Sequence, residues 1–120
     1  MDNFFDMYAR LHNRRFTVAS NSQGLSGSGT VFRYFVDGEA ITGTYQGGRI
    51  RVGNQVGRIT GSNTLELLFQ CVTTEGQLLA GWSRGEVGLD HSGRTTLRFV
   101  WGWLSGAEGG GESSYVECVD

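Results

Sequence analysis

Proline and lysine are both missing from this sequence of 120 residues. Without proline, no strand is broken by a residue that cannot donate to a ladder, so the 20 glycines must do the turning. All ten basic residues are arginine, and the formal net charge is −2. That balance gives no global attraction to nucleic acid or to an anionic membrane. There are only two cysteines, Cys71 and Cys118, whereas a small secreted domain usually carries more. No apolar run approaches the roughly 20 residues of a membrane-spanning helix. The N-terminus, MDNFFDMYARLHNRR, has acids where a signal peptide has positive charge. These absences lead us to expect a cytoplasmic protein with no nucleic-acid or membrane partner. The length suits one domain with one core, and we take residues 1–120 as that domain.

What is present is mostly period two. A short helix is expected first, from Asn3 to Leu11 within a segment 1–13, because Phe4, Phe5, Tyr8 and Leu11 recur at helical spacing. So short a helix needs a surface to dock on, and one end of a barrel offers it. Over residues 14–119 apolar and polar residues alternate, with turn signals about every ten residues. The turns are Asp37-Gly38, Gly47-Gly48, Gly61-Ser62-Asn63, Glu75-Gly76, His91-Ser92-Gly93 and Gly106 to Gly111. About eight strands result. The fold expectation is all-β: an eight-stranded antiparallel up-and-down barrel, with an open sandwich as the competitor.

Two-residue turns assign faces. A turn at Asp37-Gly38 pairs Tyr34 with Ile41 and Phe32 with Gly43. One at Gly47-Gly48 pairs Tyr45 with Ile50 and Gly43 with Val52. Thr30, Phe32, Tyr34, Ile41, Tyr45, Ile50 and Val52 then face inward, and Arg49 and Arg51 face solvent. A turn at Glu75-Gly76 pairs Phe69 with Trp82 and Cys71 with Ala80, which puts Trp82 inside. The last turn brings Phe99 near Glu117, Trp101 near Tyr115 and Trp103 near Ser113. A one-residue slip there would turn Glu117 outward.

The stretch RRFTVASNSQGLSGSGTVFRYFVDGEAITGTYQGGRIRVGNQVG resembles the opening of a group of small bacterial proteins. Their pattern is G-R-x-F-x-x-V-S-N-S, then T-x-F-x-Y, then Y-x-G-G-x-I-x-x-G. TTEGQLLAGWSRGE and the W-x-W-x-S-G of Trp101 to Gly106 continue the likeness, which covers roughly residues 14 to 118. The resemblance implies a small calycin-like barrel, similar in shape to lipocalin- or avidin-like proteins. Members often carry the label N-acetylglutamate synthase. Acetyl-CoA chemistry needs a strand, a glycine-rich loop and a helix N-terminus for the pyrophosphate, and QGGRIRVG runs strand to strand. We therefore expect no acetyl-CoA-dependent acetyltransferase and no cofactor. Members of the group tend to have a histidine near Gln70 and an acid where this chain has Val100, and the loss of both suggests a drier or differently specialised interior.

Three functions stay open. The first is binding of a small, largely apolar ligand by Phe32, Phe69, Trp82, Phe99, Trp101, Trp103 and Tyr115 in the barrel. The second is a cofactor-independent cyclase or isomerase acting on a small reactive substrate, with Glu117, Tyr34, Tyr45 and Arg84 as its catalytic groups. A buried Glu117 would have a raised pKa suited to acid–base work; an exposed one is the plain alternative. The third is a structural barrel with a filled core. Cys71 reads as an inert buried thiol, and two distant histidines, His12 and His91, give no metal signal. Asn21 and Ser22 read as loop caps first and pocket lining second. A small-molecule ligand or substrate is the expected partner, with a homodimer left open.

Overall fold

The computed structural model describes residues 6–21, 27 and 29–118. It shows the expected barrel. A helix, α1 (Met7–Leu11), precedes β1 (Arg14–Asn21), β2 (Val31–Asp37), β3 (Ala40–Gly47), β4 (Ile50–Ile59), β5 (Thr64–Thr73), β6 (Leu78–Leu89), β7 (Thr95–Ser105) and β8 (Gly110–Glu117). Each strand pairs antiparallel with the next, and β8 pairs with β1, so the sheet closes and no edge is left open. All six turn signals fall at junctions between consecutive strands. At Gly38 (φ 61°) and Gly76 (φ 87°) the chain adopts the left-handed conformation that glycine allows without strain.

The helix is shorter than the pattern suggested, and Phe4 and Phe5 lie outside the described residues. Tyr8, expected on the docked face, is 55% exposed; Met7 and Leu11 are the buried anchors. They join Phe16, Val36, Val87 and Leu97 in the core, while the Arg10 side chain reaches the Gly93 carbonyl of the β6–β7 turn. The helix thus closes one end of the barrel. His12 locks it there. Its Nδ1 accepts the Val36 N–H at 3.0 Å, and its ring stacks on Tyr8 at 4.3 Å. Only a neutral imidazole offers that acceptor. His12→Ala is therefore expected to cost about 1–2 kcal/mol in denaturant unfolding and to speed amide exchange at Val36. Unchanged exchange there would show that the helix is held by Met7 and Leu11 alone.

Inside, large side chains face glycines across the ladder. Tyr34 is opposite Gly43, Tyr45 opposite Gly53, Phe69 opposite Gly81, Phe99 opposite Gly85 and Trp101 opposite Gly111. A methyl group at Gly53 would lie 2.5 Å from the Tyr45 ring, and one at Gly81 2.4 Å from the Phe69 ring. Small and large residues alternate so that rings fit a narrow bore.

The registers correct several expectations. At the first hairpin, Val36 pairs with Ile41 and Tyr34 with Gly43, two residues from the expected match, so every face stays as assigned. At β4, bulges between Tyr45 and Gly47 and between Ile50 and Val52 insert an extra residue. Ile50 is inward as expected, but Val52 is outward, and Gly53 and Gln55 take the inner positions. The β5–β6 turn is one residue off: Phe69 pairs with Gly81 and Leu68 with Trp82. That single step turns Trp82 and Ala80 outward and brings Leu79 and Ser83 in.

Candidate functional site

The interior opens away from α1, where β1, β3, β5 and β7 end. There the side chains leave a cavity of ≈ 50 Å³. That is space for about four waters, or for the head of a small ligand. Its wall holds two ring groups. Tyr45 stacks on Phe32 at 5.0 Å, Phe32 meets Tyr115 edge-on at 4.9 Å, and Tyr115 meets Phe99 at 5.7 Å. Trp101 and Trp103 meet at 5.2 Å, and Phe69 packs against Trp103 at 5.8 Å. Six of the seven expected ligand-binding residues therefore line one cavity, together with Tyr34 and Tyr45.

Trp82 does not. The one-residue shift at the β5–β6 turn puts it on the outer wall, where the Arg84 guanidinium lies 5.0 Å from its ring centre. Arg84 is exposed beside it and cannot reach the cavity.

Glu117 faces inward by parity, but at the closed end. It pairs with Phe16, accepts the Thr95 N–H at 3.0 Å through Oε1 and forms an ion pair with Arg14 through Oε2. Burial pushes its carboxyl up, yet the Thr95 N–H and the Arg14 guanidinium outweigh burial and hold it below the ordinary glutamate range. This is the reverse of the raised value that acid–base duty would require. The long β7–β8 turn explains the position: Phe99 pairs with Ser113, four residues short of Glu117. A depressed folded value means that the carboxylate stabilises the fold fully above the ordinary glutamate value. That contribution is lost as pH falls from about 4.3 through the folded value. Glu117→Gln should lower stability at pH 7 by only about 1 kcal/mol, because Arg14 is more than a third exposed and solvent screens the pair. As pH falls through the folded value the variant and the wild type should converge. A constant gap across a urea titration series from pH 7 to pH 3 would contradict this account.

The two interior tyrosines differ. Tyr45 donates its O–H to the Gln70 carbonyl at 3.1 Å. Tyr34 OH, Gln55 Oε1 and Ser113 Oγ are buried in the cavity wall and make no hydrogen bond of good geometry within the protein, although the Gln55 side chain lies beside the Tyr34 hydroxyl and Ser113 beside that of Tyr115. Burial first, then the nearby Tyr115, pushes the Tyr34 phenol far above its ordinary value; burial and the Cys71 thiol do the same for Tyr45. Both stay protonated at neutral pH. The Cys71 thiol is also raised by burial, which leaves it a poor nucleophile.

Among the described residues, no carboxylate, histidine or arginine lines the cavity. Proton transfer there has no ionisable group near neutrality, so the arrangement can orient and hydrogen-bond a guest but holds no acid–base pair. Gln55 and Ser83 line it and were not expected. The β4 bulge hid the first, and the turn shift hid the second. Gln70 and Val100 both face outward, so what they replace bears on the surface and not on interior dryness. Asn21 does line the cavity, while Ser22 lies outside the described residues.

No curated protein matches the chain at a meaningful level. Residues 9–118 match the family described as avidin-like protein. That span begins within α1 and takes in the whole ladder and the ring-walled cavity, and the chain belongs to the avidin-like family.

Proposed function

We propose that the barrel binds a small, neutral, largely apolar molecule, with its polar head toward Tyr34, Gln55 and Ser113 and its apolar part against Trp101, Trp103 and Phe69. The observation that carries this reading is the set of three buried oxygens in one aromatic cavity that find no hydrogen bond of good geometry within the protein. Buried polar groups are nearly always paired, and a cluster of exceptions marks a place where something else supplies the bonds. Tyr34 and Ser113 can donate or accept, and Gln55 Oε1 accepts, so the head should carry both a donor and an acceptor. Among the described residues the wall carries no charged side chain to offset the desolvation of an ionic head, which favours a neutral one. Membership of a barrel family built around an enclosed interior agrees with this.

Native mass spectrometry of the protein from its own host, with a denatured run alongside, tests the reading. A bound neutral molecule released on denaturation is the expected result. Its binding should also perturb tryptophan emission, because Trp101 and Trp103 form the wall. A protein that carries no guest, and whose emission is unmoved by a broad panel of neutral small molecules, would leave a filled core as the better description.

A further inference from the structure

The closed end of the barrel is fastened by a side chain that can change its charge. β1 pairs with β2 only as far as Arg14 opposite Tyr34. Past that point β2 runs on to Asp37, and β1 no longer lies beside it. Two groups from the link between α1 and β1 fill the gap. The Asn13 N–H donates to the Tyr34 carbonyl at 2.7 Å, and the Val36 N–H donates to His12 Nδ1 at 3.0 Å. The imidazole thus takes the place of a strand carbonyl. Asn13 sits at φ 58°, a conformation that asparagine tolerates better than most residues. Its Oδ1 accepts from Arg33 at 2.6 Å, which fixes the turn that presents His12.

A strand carbonyl accepts whatever the pH, and an imidazole does not. Histidine changes charge between about pH 5 and 8. Once protonated, both ring nitrogens are donors, and the Nδ1–H would oppose the Val36 N–H. The surroundings offer that cation no counter-charge. Tyr8 stacks on the ring, and Phe35 meets it edge-on at 5.8 Å. On α1, Asp6 caps the Ala9 N–H and Arg10 reaches the Gly93 carbonyl. On β1, Arg14 pairs with Glu117, and Arg15 lies opposite Arg33 in the ladder. On β2, Arg33 brings a like charge to the residue next to His12, and Asp37 is exposed at the hairpin with Glu39. Among the described residues no carboxylate forms an ion pair with His12. Tyr8 lies one turn away on the same segment, so its ring is available to the cation whether or not the helix is docked.

We propose that α1 and the end of β2 form a proton-operated latch, which neutral His12 holds closed and protonated His12 releases. The sign follows from the bond. Only the closed state ties up the lone pair of Nδ1, so the open state binds the proton more readily and acid favours opening. Opening lifts Met7 and Leu11 from the core and uncovers Phe16, Val36 and Leu97 beneath them. It also frees the Tyr34 carbonyl from Asn13. Tyr34 lines the cavity, so an open latch loosens one wall of the site. The latch itself does not rest on the ligand reading.

Amide exchange followed by NMR from pH 8 to pH 5 tests it, with protection corrected for the intrinsic pH dependence of exchange. Protection at Val36 and Asn13 should fall about tenfold as the pH is lowered, the worth of one hydrogen bond. The Leu67 amide, inside the β5 ladder, should keep its protection. His12→Asn places a carbonyl oxygen near the position of Nδ1 and takes up no proton in this range. It should hold Val36 protection level across the series. Wild-type protection at Val36 that does not change with pH overturns the proposal. An equal fall in His12→Asn also overturns it, because the titrating group would then lie elsewhere. Should His12→Asn fail to fold or to protect Val36, the wild type decides through its His12 ring nitrogen shifts. Ring titration and loss of Val36 protection with one midpoint support the latch, and separate midpoints overturn it.

Discussion

Tyr34→Phe is expected to leave the ligand-free protein at least as stable as the wild type and to weaken ligand binding about tenfold to a hundredfold. The Tyr34 hydroxyl makes no hydrogen bond of good geometry within the protein, only a loose approach to the Gln55 side chain, so its removal costs the fold little, and the ring keeps its edge contact with Phe16 at 5.7 Å. The bond to a guest is what would be lost, and an unmatched polar group in a closed site costs about 1–3 kcal/mol. Tyr45→Phe should behave in the opposite way. It removes the bond to the Gln70 carbonyl and should cost about 1 kcal/mol of stability, with little effect on affinity. Calorimetric titration with the co-purified molecule and urea unfolding of both variants would separate the two tyrosines. A stability loss for Tyr34→Phe equal to that for Tyr45→Phe would mean that Tyr34 serves the fold rather than a guest.

The difference between these tyrosines was not legible in the sequence, where both are inward aromatic residues on neighbouring strands. The barrel was legible, because alternation and turn chemistry are local. Registers were legible only modulo two. At Asp37-Gly38 the expected pairing is off by two residues, and in the β7–β8 turn by four, yet Phe32, Tyr34, Trp101 and Trp103 keep their faces. At Glu75-Gly76 the error is one residue, and Trp82 changes sides. The side-chain period of a strand is two, so even slips are silent and odd slips invert a face. Glu117 shows another limit. Its face follows from parity, but its partners, Arg14 and the Thr95 N–H, come from distant parts of the chain. A signal that could have fixed the β5–β6 register was present: Phe69 and Gly81 lie symmetrically about Glu75, and the structure places them opposite each other. Phe99 and Gly85 are likewise symmetric about Ser92. A large ring in a narrow bore needs a vacant neighbour, and glycine supplies one.

That pairing makes Gly85→Ala a strongly damaging small substitution. A methyl group there would lie 2.3 Å from the Arg98 carbonyl oxygen and 2.3 Å from Phe99 Cδ1. The carbonyl belongs to the β6–β7 ladder and cannot retreat without loss of pairing. Phe99 is buried against Tyr115, so its ring can move only into the cavity and at the expense of that contact. Overpacking of this kind typically costs 1–3 kcal/mol, and a backbone contact places Gly85→Ala at the upper end, about 3 kcal/mol. For a chain of this size the melting temperature should fall by about 10 °C. Gly88→Ala, three residues on in the same strand, meets only the Thr96 hydroxyl at 3.2 Å, which can rotate aside. It should change stability by less than about 1 kcal/mol. Equal effects at the two positions would show that strand glycines act here through backbone entropy. A loss confined to Gly85 would show that the bore is dimensioned ring against glycine, and that the cavity's shape is set by where those glycines fall.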